Sequence, residues 1–386
     1  MHPAKNKKNM QIGFPEILRS SGSRRIKIIK LIDYCAGSLL ALLLPGKNST
    51  KFPSTNQLKR ILVIRPGGIG DAILLIPLLR LIKKSYPSLR IDILCEKRNQ
   101  PAFLSQQKIY DHLYCYDILK SLLTAFKNKY DAVIDTEQWH YLSALVSYFL
   151  NSPLTIGFAS RPLRAKLFNI KVPYDLNTYE LLNFRNLFSS VFEGQHEVQN
   201  IANSFKIPQN ILDWAQSNIP DLSVSLYLGG SLPEKRLTKE QSLSIIQFIL
   251  ENHVHPILLG GRDILEQSAV LEQTISDKKL INLVGKTSLE ESGAVIKRSK
   301  VFVGTDSGIM HLASAVGTPV VALFGSSNRH KWGPPQDKNH VVISNPVACS
   351  PCAQFSYSIP TCQRSYICMT QINLEAVKKA IKEFTN

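Results

Sequence analysis

The 386-residue chain is 44% hydrophobic and 19% charged, with 20 Gly and 21 Pro. That composition supports a sizeable core, and the length suggests two domains. It excludes a disordered or low-complexity chain, and no apolar run reaches the roughly 18 residues a membrane-spanning helix needs.

The net charge of +17 is concentrated at the start: residues 1–60 hold twelve basic residues and two acidic ones, Glu16 and Asp33. This implies an anionic partner such as a membrane surface, a phosphorylated substrate or nucleic acid. Basic residues at 24, 25, 27 and 30 precede an apolar stretch over 31–44, which Asp33 interrupts and Pro45-Gly46 stops. The pattern predicts a helix lying in the membrane interface with its basic end on anionic head groups. The alternative is a helix packed on the following domain, where the basic cluster has no use. Seven cysteines, an odd number, and the lack of a cleavable signal point to a reduced, cytoplasmic protein.

A linker over 47–57 leads to an apolar strand over 58–64. The segment Arg65-Pro-Gly-Gly-Ile-Gly-Asp71 follows, then a helical run over 72–84 that Pro77 is expected to kink. Further strands read at 90–95 and 130–135. The second half repeats the style, with strands at 224–228, 256–259, 301–303 and 320–324 and helices over 239–252 and 309–316. Strands alternating with helices predict parallel sheets with crossover helices. The chain therefore divides into a basic extension, 1–57, and two α/β domains, 58–205 and 222–386. A Pro-bearing joint connects the two domains.

Four segments carry candidate chemistry. Gly67, Gly68 and Gly70 permit a tight turn and close approach of another molecule. Asp71 then falls at the carboxyl end of a parallel strand, where open α/β sheets bind ligands, although a helix cap explains a carboxylate there equally well. The turn Gly304-Thr305-Asp306-Ser307-Gly308 opens a helix whose N–H groups suit a phosphate, with Thr305 and Ser307 as hydroxyl donors and Asp306 capping the helix or binding sugar hydroxyls. His311 lies one turn inside. Lys235 and Arg236, after Gly229-Gly230, suit a departing diphosphate. Cys349, Cys352, Cys362 and Cys368 offer half of a zinc signature, and four reduced thiols without metal are the expectation. Arg161, Arg164 and Lys166 are acceptor-side candidates or a solvated loop, and His140 after Trp139 is equally ambiguous. Basic and aromatic residues are not interleaved, so no nucleic-acid partner is expected.

The sequences ILVIRPGGIGDAILLIPLLRLIKKSYP and VFVGTDSGIMHLASAVGTPVVALFGSS, with the trailing WGPP, resemble the glycosyltransferase family 9 enzymes, the lipopolysaccharide heptosyltransferases. The resemblance covers roughly residues 58–370 and includes the Lys235-Arg236 pair and the cysteine-bearing tail. Leu237 departs from it, since a tryptophan often follows the basic pair. The resemblance implies a GT-B fold, two Rossmann-like domains facing across a cleft. It implies inverting transfer of heptose from ADP-heptose to the growing core saccharide. No cofactor is expected, and the basic amino-terminal helix together with the reduced cysteines predicts a lipid-linked acceptor met at the cytoplasmic face of the inner membrane. Asp71 matches the general base, Lys235 the phosphate-contacting lysine, and Asp306 with its neighbours the donor-binding turn. A transferase using another nucleotide sugar, and a nucleotide-sugar epimerase or hydrolase on the same scaffold, are the alternatives. A catalytically silent binding protein is the third reading.

Overall fold

The computed structural model describes residues 24–48, 53–194, 197–230, 232–353 and 362–386. Residues 1–23 of the extension and part of the cysteine segment lie outside them. Strands β1 (Arg60–Arg65), β2 (Arg90–Cys95), β3 (His112–Cys115), β4 (Ala132–Asp135), β5 (Leu154–Phe158) and β6 (Ile170–Val172) form one sheet in the order β3-β2-β1-β4-β5-β6. Strands β7 (Ser223–Tyr227), β8 (His255–Leu258), β9 (Ile281–Asn282), β10 (Val301–Thr305), β11 (Val320–Phe324) and β12 (His340–Ser344) form the second, ordered β12-β11-β10-β7-β8-β9. All pairings are parallel. The two sheets share one topology: three strands run outward, and the chain returns to the far side of the first. Open α/β sheets bind ligands beside such a reversal, which falls here between β1 and β4 and between β7 and β10.

Helices cover both faces of each sheet, so central strands are apolar without alternation. Ile61, Leu62, Val63 and Ile64 of β1 are all buried, as are all five residues of β10. The first half carries α1 (Arg24–Leu43), α2 (Ile69–Ser85), α3 (Leu119–Phe126), α4 (Tyr141–Phe149) and α5 (Glu180–Ser189). The second carries α6 (Gln209–Asn218), α7 (Lys239–Glu251), α8 (Leu265–Ile275), α9 (Leu289–Arg298), α10 (Gly308–Val316) and α11 (Leu374–Thr385). The two helices that follow the glycine turns, α2 and α10, pack on each other, and one apolar core runs through both halves.

Three segments gain detail from the structure. The proposed joint contains α6, which packs on α9. Helix α2 continues through Pro77, which sits half-buried within it. Helix α1 has one packed side and one exposed apolar side. Its inner side buries Gly37 and Ala41 against α4, with an added β-carbon at Gly37 falling 2.5 Å from Tyr141 Cβ. Its outer side exposes Ile28, Ile29, Ile32, Leu39, Leu42 and Leu43. Asp33, which broke the apolar pattern, accepts hydrogen bonds from Tyr141 N at 3.1 Å and Leu142 N at 2.8 Å. It thereby satisfies the open N–H groups at the start of α4.

Candidate active site

β1 ends at Arg65, and the turn Pro66-Gly67-Gly68 leads into α2. Gly67 has φ +99°, a conformation side chains rarely adopt. The N-cap of α2 is Gly68, so Asp71 is not the cap. It stands within the first turn, with a side chain 19% exposed, on the wall of a cavity of about 850 Å³. Behind it lies the buried Arg65 guanidinium. One terminal nitrogen, Nη2, is 3.8 Å from Asp71 Oδ2 and 3.0 Å from Glu137 Oε2; the other, Nη1, donates to Thr136 O at 2.9 Å. Burial acts against the Arg65 charge, but Asp71, Glu137, Glu180 and Asp135 outweigh it and raise its pKa. Burial also acts to raise the Glu137 pKa, and the surrounding His140, Arg65 and Arg164 hold it below the usual value.

The opposite wall comes from the second half. Lys235 Nζ lies 2.6 Å from Asp306 Oδ2. Burial works to neutralise Asp306, yet Lys235, a Ser327 hydrogen bond and His311 hold its carboxyl below the ordinary range, so Asp306 stays a carboxylate. Ser307, not Asp306, is the N-cap of α10. The expected hydroxyl donors have backbone partners: Ser307 Oγ donates to Thr305 O at 2.9 Å, and the buried Thr305 Oγ1 donates to Gly229 O at 2.6 Å. Thr305 therefore ties the turn after β10 to the turn after β7. Lys235, Asp306, Ser307, Gly308 and His311 reach the cavity wall, whereas Gly304, Thr305 and Arg236 do not. Arg236 Nε donates to Gly230 O at 2.6 Å.

The two glycine turns touch. A β-carbon on Gly70 would fall 2.6 Å from His311 Cδ2, and one on Gly308 would fall 3.2 Å from Gly70 N. The close approach that these glycines permit is thus first of all between the two halves. Burial lowers the His311 pKa, although the nearby Asp306 and Asp71 act to raise it, so the imidazole is neutral at pH 7. Gly68, Gly70, Asp71 and Arg98 complete the wall from the first half; Tyr227, Asp263, Thr287 and Trp332 extend it in the second.

Other sequence candidates are structural. Arg164 is fully buried, 2.6 Å from Asp135, and donates to the carbonyls of Phe158, His140 and Glu137. Arg161 is buried among the rings of Tyr34, Trp139 and Tyr141. Lys166 Nζ donates to Leu42 O at 2.9 Å, holding the end of α1, and His140 Nδ1 lies 3.3 Å from Asp33. Of the four tail cysteines, Cys349 is exposed and Cys368 buried. Burial first, then the three neighbouring thiols, pushes Cys368 up to about 11. Among the described residues no three His, Cys, Asp or Glu side chains form a group that could hold a metal ion.

Sequence reasoning missed the support behind Asp71. Glu180 is fully buried, accepts from Tyr174 OH at 2.7 Å, and lies 3.7 Å from Lys331, which the second half extends into the first. As the first residue of α5, where an acid is the ordinary choice, it carries no distinctive sequence signal. Glu137 had a better one, two residues past β4 at the reversal of strand order.

Residues 119–361 match the model of glycosyltransferase family 9 (heptosyltransferase). The chain is 26% identical over 292 residues to lipopolysaccharide heptosyltransferase 3 of Escherichia coli K12, covering 69% of this chain and 82% of that protein. It is 24% identical over 347 residues to lipopolysaccharide heptosyltransferase 1 of Campylobacter coli, covering 84% and 98%. The solved E. coli ADP-heptose LPS heptosyltransferase II superposes with TM-score 0.66 at 20% identity, covering 84% of this chain and 98% of that one. The fold is GT-B, with two Rossmann-like sheets facing across a cleft.

Proposed function

The chain belongs to glycosyltransferase family 9, and on that premise we propose that it moves heptose from ADP-heptose onto a lipopolysaccharide core saccharide, with inversion at the anomeric carbon. The observation that carries this reading is one cavity with the Asp71 carboxylate on one wall and the Lys235 ammonium and the start of α10 on the other. Residues 58–205 take the acceptor and residues 222–386 the donor.

Asp71 accepts the proton of the acceptor hydroxyl as that oxygen attacks the sugar C1. The bond from C1 to the diphosphate oxygen breaks on the opposite face, and ADP departs with the electron pair. Lys235 and the free N–H groups at the start of α10 stabilise the charge that develops there. The neutral His311 fills the contact between the turns without adding a competing charge. Arg65 and Glu137 fix the orientation of Asp71 from behind. The outer face of α1 meets the cytoplasmic surface of the inner membrane, where a lipid-linked acceptor resides. No helix among the described residues is long and apolar enough to cross a membrane.

The test incubates the purified protein with ADP-heptose, with and without a lipopolysaccharide core acceptor. ADP release that requires acceptor, and a product of inverted anomeric configuration by NMR, are expected. Acceptor-independent consumption of the donor, or retained configuration, contradicts the proposal.

A further inference from the structure

Helix α1 is not the only unpartnered apolar surface of the first half. Helix α3 exposes Leu119, Leu123 and Phe126, a single stripe at helical spacing, with Leu119 71% exposed. Helix α4 exposes Leu142 and Phe149. These helices share one side of the sheet: Leu122 and Ala125 of α3 and Val146 of α4 pack on the same cluster formed by Leu62, Ile64 and Val133. Helix α4 in turn carries α1. The three helices therefore form one layer, α3–α4–α1, whose outer surface is studded with large apolar side chains. Such surface is uncommon on a protein that meets only water.

Its charge identifies the occupant. The three helices contain one acidic residue, Asp33, and its carboxylate is turned inward onto the backbone of α4. Exposed Lys120, Lys127 and Lys129 flank the α3 stripe. Apolar side chains rimmed by lysines, with the one acid of the three helices turned inward and only Asp117 exposed beside the start of α3, match the boundary between acyl chains and anionic head groups. The layer is also joined to the cavity: Lys30 of α1 is close enough to Arg98, on the cavity rim, for that charge to add to burial in lowering its pKa.

We propose that the outer faces of α1, α3 and α4 together form one docking surface for an anionic lipid bilayer. This rests on the reading that α1 meets the membrane and extends it: α3, about 90 residues later in sequence, is a second point of contact, so the enzyme is held in one orientation and not tethered by its amino-terminal end. The rim at Arg98 then lies beside the lipid from which a membrane-bound acceptor enters.

The experiment is flotation of the full chain with vesicles of phosphatidylcholine, alone or mixed with phosphatidylglycerol. Leu119→Glu/Leu123→Glu on α3 and Ile28→Glu/Ile32→Glu on α1 are each expected to lower binding to the mixed vesicles by about tenfold or more. Turnover of a deacylated, water-soluble acceptor should remain near wild type for the α3 pair, which also shows that it folds. If the α1 pair detaches and the α3 pair floats like wild type, the three-helix surface is wrong while the α1 reading survives. If neither pair detaches, both are wrong. If the α3 pair instead converts an oligomer to a monomer without altering flotation, the surface joins copies of this chain and the proposal fails. Should the α3 pair not fold, Leu123→Trp decides: brominated phosphatidylcholine quenches the added fluorescence if α3 docks, and its failure to do so overturns the proposal.

Discussion

Each half of the molecule places a carboxylate–cation pair where its strand order reverses, but the pairs face opposite ways. In the first half the cation is hidden and the anion faces the cavity: Arg65 is 1% exposed and Asp71 19%. In the second half Lys235 is 22% exposed and Asp306 10%. One topology, used twice, thus presents a carboxylate on one wall and an amino group on the other. What differs is the backing. The first pair rests on a scaffold of buried charges, Glu137, Asp135, Arg164 and Glu180, while the second rests on a hydroxyl tie from Thr305 and a neutral His311. The Rossmann topology supplies the positions, and the buried partners decide which member of each pair is presented.

The strongest way to break this comparison is to remove the charge that the first half presents. Asp71→Asn keeps the shape of the site but cannot take a proton. Turnover should fall by about 10²–10⁴-fold, with ADP affinity by calorimetry unchanged, because the donor wall is untouched. Near-normal turnover would remove Asp71 from the role of base.

The scaffold behind the first pair comes next. Arg164→Ala leaves the fully buried Asp135 without its cation, and breaking such a pair costs about 3–5 kcal/mol. The loss should depend on pH. Burial already raises Asp135 to about 6 from an ordinary value of 3.8, although Arg164 acts to lower it. Without Arg164 the folded-state pKa climbs further, so the native state retains a proton that the unfolded chain has released. Its stability is kept at low pH and lost as pH rises through that value. Urea unfolding should show a larger deficit at pH 8 than at pH 5; equal deficits would mean that Asp135 carries no charge in the native protein.

On the donor wall, Lys235→Ala removes the presented cation and leaves Asp306 as an uncompensated anion facing a diphosphate. ADP binding should weaken by about 1.5–3 kcal/mol, the range for a hydrogen bond to a charged group. Adding Asp306→Asn to the same chain should restore part of the loss. Unchanged calorimetric affinity in the single variant would detach Lys235 from the diphosphate.

How much of this the sequence reveals follows from where each signal sits. The strands bearing the glycine turns are central, buried on both faces and written as unbroken apolar runs, so β1, β7, β10 and β11 are legible together with the Asp71 and Gly304–Gly308 turns. Edge strands such as β3 (HLYC) and β6 (IKV) are too short and mixed to stand out. The buried charges are harder still. Arg164 and Glu180 look like surface residues until the fold surrounds them, and Asp33 looks like an interruption until its partner at the start of α4 appears 108 residues away. The family motifs point to Thr305 and Arg236 as donor contacts, whereas the geometry gives both internal backbone partners. A motif records which residues occur together and is silent on which of them face the ligand.

The smallest effect tests whether the two turns work as one site. Gly70→Ala adds a single methyl group, with no charge changed and no strained φ involved. That methyl falls 2.6 Å from His311 Cδ2, while its next neighbour outside the imidazole, Gly308 Cα, is 3.5 Å away, an ordinary contact. The imidazole must therefore yield, or the two halves must part by a few tenths of an ångström. Under the proposed mechanism, in which the site aligns an acceptor oxygen with C1, misplacement of that order should lower turnover by about tenfold, given that displacements near 1 Å cost about 10²-fold. Trimming the other partner should relieve it: in Gly70→Ala/His311→Ala the clash is gone, so the double variant should turn over faster than Gly70→Ala alone. The turns then act through their contact, and the opposed ion pairs owe their spacing to it. If the two losses simply multiply, the glycine serves its own loop, and the separation between Asp71 and Lys235 is set elsewhere in the core.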